Sequence, residues 1–206
     1  YIANIQVNNP DAKRHQYDTP RFPKAQREVT KQDGLKLLLD TDGPEAVKEW
    51  VLGQKKLLIT DTTMRDAHQS LLSTRLRTRD MVKGADGTAD ILADCFSLEM
   101  WGGATFDTAY RFLHESPWER LEMLREKIPN IPFQMLLRGS NLVGYASYPD
   151  NLVRAFIAES AREGIDVFRV FDSLNWLPNM ETAMDEVLRQ GKFLEGTVCY
   201  TGDILE

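Results

Sequence analysis

In Thr60-Asp61-Thr62-Thr63-Met64-Arg65-Asp66-Ala67-His68-Gln69-Ser70-Leu71-Leu72 an apolar segment, Leu57-Leu58-Ile59, runs straight into a cluster of ionisable and amide side chains. A strand of a parallel sheet is apolar because both its faces are covered. Polar residues crowded at its C-terminal end have no packing role there, and in a (β/α)8 barrel that end carries the chemistry. The competing reading is a strand followed by a helix N-cap, with Asp66 or Ser70 as the capping side chain.

The same pattern recurs outward from this stretch. Apolar segments predict strands over 57–62, 95–101, 133–138, 167–172 and 196–201, with amphipathic helices between them. Ser116-Pro117-Trp118-Glu119 has the form of a capping box with proline at the first helical position. Asp150 is placed to cap a helix whose apolar face carries Leu152, Val153, Phe156 and Ile157 and which ends at Gly164. Asn179 and Gly191 frame the next helix, and Pro44 opens a short helix reaching Trp50. Strand, helix and strand alternate every 30–40 residues or so, which is a βαβ series with a parallel sheet. Residues 1–33, interrupted by Pro10, Pro20 and Pro23, read as an extended arm or linker. The expected fold is therefore α/β. Two forms remain open on the pattern alone: an open doubly wound sheet of five strands, or five units of a barrel that needs about 250 residues to close.

Composition sets outer limits. The 206 residues are 42% hydrophobic with a net charge of −6, enough for one sizeable core. The mild acidity and lack of a dense basic patch argue against a nucleic-acid surface. No apolar run approaches the roughly 20 residues of a membrane span. Cys95 and Cys199 both sit in apolar runs and read as buried thiols of a reducing compartment.

Four stretches carry a resemblance. They are Asp61–Arg75, Phe96–Asp107, Met135–Tyr145 and Phe168–Asn175, the third reading Met-Leu-Leu-Arg-Gly-Ser-Asn-Leu-Val-Gly-Tyr. Together and in this order they resemble the signatures of biotin-dependent carboxyltransferases that act on pyruvate or oxaloacetate. The resemblance implies the first five βα units of a (β/α)8 TIM barrel over residues 34–206, a barrel the chain does not complete. The start, Tyr1–Asn8, is similar to the segment that follows a biotin carboxylase domain in a multidomain member of the family. The implied activity is transfer of a carboxyl group from carboxybiotin to pyruvate, giving oxaloacetate, within an ATP- and bicarbonate-dependent carboxylase. A free-standing transferase subunit of decarboxylase or transcarboxylase type, or a non-catalytic fragment, are the alternatives. The resemblance further implies biotin and a divalent metal (Mn²⁺, Zn²⁺ or Mg²⁺) as cofactors, with ATP used in another domain. Implied partners are pyruvate or oxaloacetate, a biotin carrier domain and further copies in a homotetramer, with no nucleic acid and no membrane. The compartment would be the cytoplasm, or the mitochondrial matrix in a eukaryote.

Candidate site residues follow from chemistry and likeness together. Arg138 ends the strand Phe133-Gln134-Met135-Leu136-Leu137, where a guanidinium can bind a carboxylate through two parallel hydrogen bonds; an ion pair with a nearby acid is the alternative. By the resemblance, Arg65, Gln69 and Arg138 hold pyruvate and stabilise its enolate, and Asp107 and Tyr145 line the pocket for the biotin ring. Asp66 would be one metal ligand, its partners being a carbamylated lysine and a His-x-His pair outside this chain. The general acid, a threonine, would also lie outside it. His68, two residues from Asp66 and on the same side of an extended chain, reads as a packing or supporting histidine. Asp172, at a strand end, suits either the mouth of the site or a structural hydrogen bond, and Trp101 and Phe106 read as packing. Gly84 and Gly87 depart from the family's apolar helix start and should weaken the first barrel helix by about 1 kcal/mol each.

Overall fold

The computed structural model describes residues 33–203. All but the last residue of the arm expected over 1–33 lies outside the described residues. Helix α1 (Leu35–Gly53) is broken at Gly43, whose φ of 81° and ψ of −177° no continuous helix allows. Pro44 then restarts it with a φ already suited to a first turn, as the sequence predicts. The turns before Gly43 were not expected.

Five strands follow: β1 (Thr60–Asp61), β2 (Ser97–Trp101), β3 (Phe133–Arg138), β4 (Val167–Phe171) and β5 (Phe193–Gly196). All neighbours are parallel, in the order β1-β2-β3-β4-β5. A doubly wound sheet reverses its strand order at a switch point. This sheet never does, so it is part of a barrel wall. The crossovers are α2 (Thr78–Ile91), α3 (Pro117–Lys127), α4 (Asp150–Glu163) and α5 (Pro178–Arg189).

Alternation along the strands divides their side chains between two faces. Leu98, Phe133, Met135, Leu137, Phe168 and Val170 are buried in the main core with Leu121, Ile157 and Val187 of the helices. The opposite face carries Ser97, Glu99 and Gln134, all buried. The β2–β3 register slips between Glu99 and Trp101, a bulge that takes Trp101 into the core. There Trp101 meets Phe106 and Trp118 edge-to-face at 5.2 and 5.0 Å, the packing role expected of it. Helix α1 lies across the N-terminal strand ends, packing Leu39 and Val47 with Phe96, Val167 and Phe193.

Several expectations need correction. The run Leu57–Ile59 is not a buried strand: Leu57 is 88% and Ile59 57% exposed, because β1 has a neighbour on one side only among the described residues. The fifth strand is Phe193–Gly196 rather than 196–201. Phe193 and Leu194 pair with Val167 and Phe168, whereas Val198 and Tyr200 lie exposed beyond the strand. Asn175 ties that segment down by exchanging two side-chain hydrogen bonds with the Cys199 backbone, and the Cys199 thiol is exposed, not buried. Helix α2 runs unbroken through Gly84 and Gly87, held by the buried stripe Met81, Ala85 and Ala89. Ser116 caps α3 as expected, accepting from Glu119 N, but α4 begins after Pro149 without a side-chain cap from Asp150.

Candidate active site

Asp61 closes β1 by accepting hydrogen bonds from the backbone N–H and hydroxyl of Thr63, both at 3.0 Å. The chain therefore turns at once into a π-helical segment, Thr63–Ala67, and a short helix, His68–Leu71. Neither Asp66 nor Ser70 caps these segments. The segment is helical rather than extended, so Asp66 and His68 do not share a side: His68 is buried and Asp66 half-exposed. His68 Nε2 is 2.9 Å from the Met64 carbonyl. Burial, and secondarily the charges of Arg120 and Arg65, push its pKa below the usual histidine value, and its burial against the Met64 carbonyl gives it a packing role.

Arg65 projects from the π turn into a built cradle. Its Nε donates to Glu99 Oε2 at 2.7 Å, with Nη2 2.6 Å from the same oxygen, and Nη1 donates to Asp66 Oδ1 at 2.8 Å. A side chain at Gly102 would put a carbon 3.1 Å from Arg65 Cδ, so the glycine leaves the arginine its channel. Glu99 is only 1% exposed. Its other oxygen accepts from Gln134 Nε2 at 3.5 Å, Gln134 accepts from Ser97 Oγ at 2.9 Å, and Ser97 shares a 2.8 Å bond with Thr60 Oγ1. Sequence reading passed over Glu99. The available signal was its two-residue spacing from Ser97, which marks a polar face on an otherwise apolar strand.

Arg138 stands at the C-terminal end of β3, exposed, with its guanidinium 5.6 Å from the Phe171 ring centroid. It makes no ion pair among the described residues. The chain after it curls back, Arg138 N donating to Leu142 O at 3.1 Å. Gly139 permits this turn, since its φ is +39° and an added Cβ would lie 2.6 Å from Asn179 O. Asn179 is itself held, donating to Asp172 Oδ1 at 2.8 Å and bonded to Ser140. Asp172 also accepts from the Trp176 and Leu174 N–H groups, at 3.0 and 2.9 Å. The Trp176 N–H and then the Asn179 amide hold its carboxyl below the ordinary aspartate pKa. Asp172 thus shapes the loop behind Arg138.

These elements surround a pocket of about 210 Å³ whose lining includes Arg65, Gln69, Gly103, Arg138, Tyr145 and Phe171. Four of the six expected site residues meet there. Asp107 adjoins it, accepting from Tyr145 OH at 3.3 Å while its other oxygen takes Arg111 Nε at 2.8 Å. Tyr145 is 71% exposed, a rim position. Asp66 is at the back of Arg65 and does not line the pocket. A larger hollow of about 470 Å³ lies on the helical surface by α4, lined by Ala158, Glu159, Arg162 and Lys192 among others. It contains none of the expected residues.

The pocket's charges decide what it suits. Arg65 is matched by Glu99 and Asp66, which leaves Arg138 as surplus positive charge presenting a planar fork of donors. A small carboxylate is the fitting ligand. A divalent metal is a different matter. It needs several ligands, no group of three His, Cys, Asp or Glu side chains among the described residues could hold one, and Asp66 Oδ1 is engaged by Arg65. These residues alone do not fit a metal ion, and Asp66 is at most one ligand of a set.

Comparisons with known proteins agree with the fold. The chain is 56% identical over 210 residues to pyruvate carboxylase of Staphylococcus aureus and 52% identical over 210 residues to that of Bacillus subtilis, matching over its whole length and covering 18% of each. Against human mitochondrial pyruvate carboxylase the identity is 54% over 173 residues, 84% of this chain and 15% of that protein. No family model matches. The fold resembles the carboxyl transferase domain of Rhizobium etli pyruvate carboxylase solved with oxamate and biotin (TM-score 0.87, 52% identity, 92% of this chain and 32% of that one). It matches the same domain solved with pyruvate at a TM-score of 0.86 and 53% identity, over 91% of this chain and 32% of that one. The chain thus spans less than a fifth of the curated relatives and about a third of the solved domain.

Proposed function

Because the chain belongs to the biotin-dependent carboxyltransferases, matching the carboxyltransferase domain of pyruvate carboxylases, we propose that it forms part of the site where pyruvate receives a carboxyl group and becomes oxaloacetate. In this reading residues 34–206 are the N-terminal part of the carboxyltransferase barrel, and residues 1–33 link it to an upstream biotin carboxylase domain where ATP and bicarbonate are consumed.

The observation that carries the proposal is the convergence of Arg65, Gln69, Arg138 and Tyr145 on one pocket at the C-terminal strand ends. Arg138 binds the pyruvate carboxylate with its unpaired guanidinium. Arg65 and Gln69 donate hydrogen bonds toward the ketone oxygen, where negative charge grows as the enolate forms. Donors fixed in advance at such a position are worth about 10²–10³ in rate each. Tyr145, steadied by Asp107, offers its ring and hydroxyl at the rim to biotin, the group that brings the activated carboxyl when its carrier domain docks. Asp66 would supply one ligand to a divalent ion completed by residues of other strands. The relatives named are bacterial and mitochondrial, and no helix among the described residues is long and apolar enough to cross a membrane. A cytoplasmic or matrix enzyme assembled as a homotetramer is the arrangement this reading carries.

The test is Arg138→Ala in the full-length protein, assayed for oxaloacetate formation. The expected result is loss of activity by about 10³-fold or more with the fold retained. Near-normal oxaloacetate formation would sink the assignment.

A further inference from the structure

We infer that Glu99 is a positioning residue for the reaction, fixing the Arg65 guanidinium so that its remaining donors point into the pocket. The inference rests on the proposed function of that pocket. Arg65 has a flexible side chain on a π turn, and within that turn only the half-exposed Asp66 helps to define its orientation. Glu99 does so from the neighbouring strand. Both Nε and Nη2 lie on its Oε2, at 2.7 and 2.6 Å, and Asp66 takes Nη1. Glu99 itself cannot swing, since it is buried within β2 and its second oxygen ends the chain of hydrogen bonds through Gln134 and Ser97 to Thr60. A carboxylate so thoroughly withdrawn from water is costly unless paired, and Arg65 is its cation. All three of its nitrogens are thus engaged, which leaves one N–H on each of Nη1 and Nη2 for the pocket. Arg138, at the far side of the pocket, has no such partner. Glu99 therefore serves the donor aimed at the developing enolate and leaves binding of the substrate carboxylate to Arg138.

The experiment is a double-mutant cycle in the full-length protein, with Glu99→Gln, Arg65→Ala and both together, read as kcat and KM for pyruvate alongside thermal unfolding. Glu99→Gln should lower kcat about 10²-fold, on the scale of one lost donor, with KM changed less than about threefold; it also breaks a buried ion pair, so the unfolding midpoint should fall and kcat is read well below it. In the Arg65→Ala background it should cost nothing further, because Glu99 acts only through Arg65. A kcat within about twofold of the parent, or a loss that adds in full to that of Arg65→Ala, would overturn the inference and leave Glu99 a packing carboxylate. Should Glu99→Gln fold poorly, Glu99→Asp reads the same quantity. It keeps the charge but retracts it by a methylene, so it should lower kcat at constant KM, and unchanged kcat would overturn the inference. Arg138→Ala, run in parallel, separates the two readings. Its retention of activity would sink the pocket assignment, whereas its loss beside a fully active Glu99→Gln would sink only the role of Glu99. Full activity in Arg65→Ala would overturn both.

Discussion

At the N-terminal end of the sheet, Asp166 is fully buried; one carboxylate oxygen takes Arg125 Nη2 at 2.5 Å and the Phe133 N–H at 2.9 Å, while Lys36 and Lys192 lie 3.3 and 3.4 Å from the other. At the C-terminal end, Arg138 is exposed and has no carboxylate partner among the described residues. The same sheet and the same side-chain chemistry give a closed knot at one end and an open charge at the other. Arg125 adds hydrogen bonds to the carbonyls of Ile128, Ile131 and Gly164, at 3.0, 2.9 and 2.9 Å, so the knot ties α1, α3, β3, β4 and β5 together. In a barrel the N-terminal face serves stability and the C-terminal face serves chemistry. Here the division is visible in which charges are spent on neighbours and which are left without a partner among the described residues.

The comparison can be broken first at the knot. Asp166→Ala would strand Arg125 and the Phe133 N–H without their acceptor, and should cost about 3–5 kcal/mol. Hydrogen exchange of the β3 and β4 amides in the full-length protein would measure it. Arg138→Ala should leave the same amides protected; equal losses of protection in the two variants would erase the distinction between the ends.

A smaller effect tests a second closed network, at the junction of α2 and α3. Burial alone would raise the Glu115 carboxyl, but hydrogen bonds from the Thr78 N–H and hydroxyl, Arg120 and Arg77 override it and bring its pKa from 4.5 to about 2. A carboxyl depressed in the folded state stabilises at pH values above its unfolded pKa, and that contribution is lost as pH falls from about 4.5 toward 2. Glu115 is a fifth exposed, and once the shift is discounted for solvent screening roughly 2 kcal/mol is at stake. Acid titration of Glu115→Gln should show a flatter loss of amide protection across this window than the parent protein does. An unchanged slope would mean that the network contributes little.

The smallest effect sharpens the comparison by touching neither end. Gly84 sits on the exposed side of α2 with open space where a Cβ would go. Gly84→Ala should raise stability by about 0.5–1 kcal/mol and leave oxaloacetate formation unchanged. A change in activity would show that the helical layer is coupled to the pocket.

Much of this architecture was legible beforehand, and the misses have physical causes. Strand β3 lies where its apolar run predicts because neighbours cover it on both sides. Ser116 and Pro117 start α3 because their signals act within one turn. The helical course of Thr63–Leu71 was hidden, since its polar residues fit the end of a strand as well as a turn, and Asp61 decided the matter through two bonds to Thr63. The place of β5 was hidden too. Phe193-Leu194 and Val198-Cys199-Tyr200 are both apolar runs, and only pairing with Val167 and Phe168 chose the first. Cys199 was misplaced for the same reason. Among the site residues, Arg65, Gln69, Arg138 and Tyr145 were marked by motif and meet in the pocket; Asp66, marked with them, lies behind it.

Residue types along the chain were sufficient to establish alternating strands and helices, and the polar strand ends that carry Arg65 and Arg138. Each of those rests on interactions between residues near in sequence, or on the plain need to bury apolar side chains. Which arginine is spent and which is free was decided only in three dimensions. Glu99 is 34 positions from Arg65 and Asp166 is 41 from Arg125. Neighbouring strands of the parallel sheet, with the turn and helix attached to them, bring such partners within 3 Å, and no local pattern could have said which carboxylate would neutralise which guanidinium.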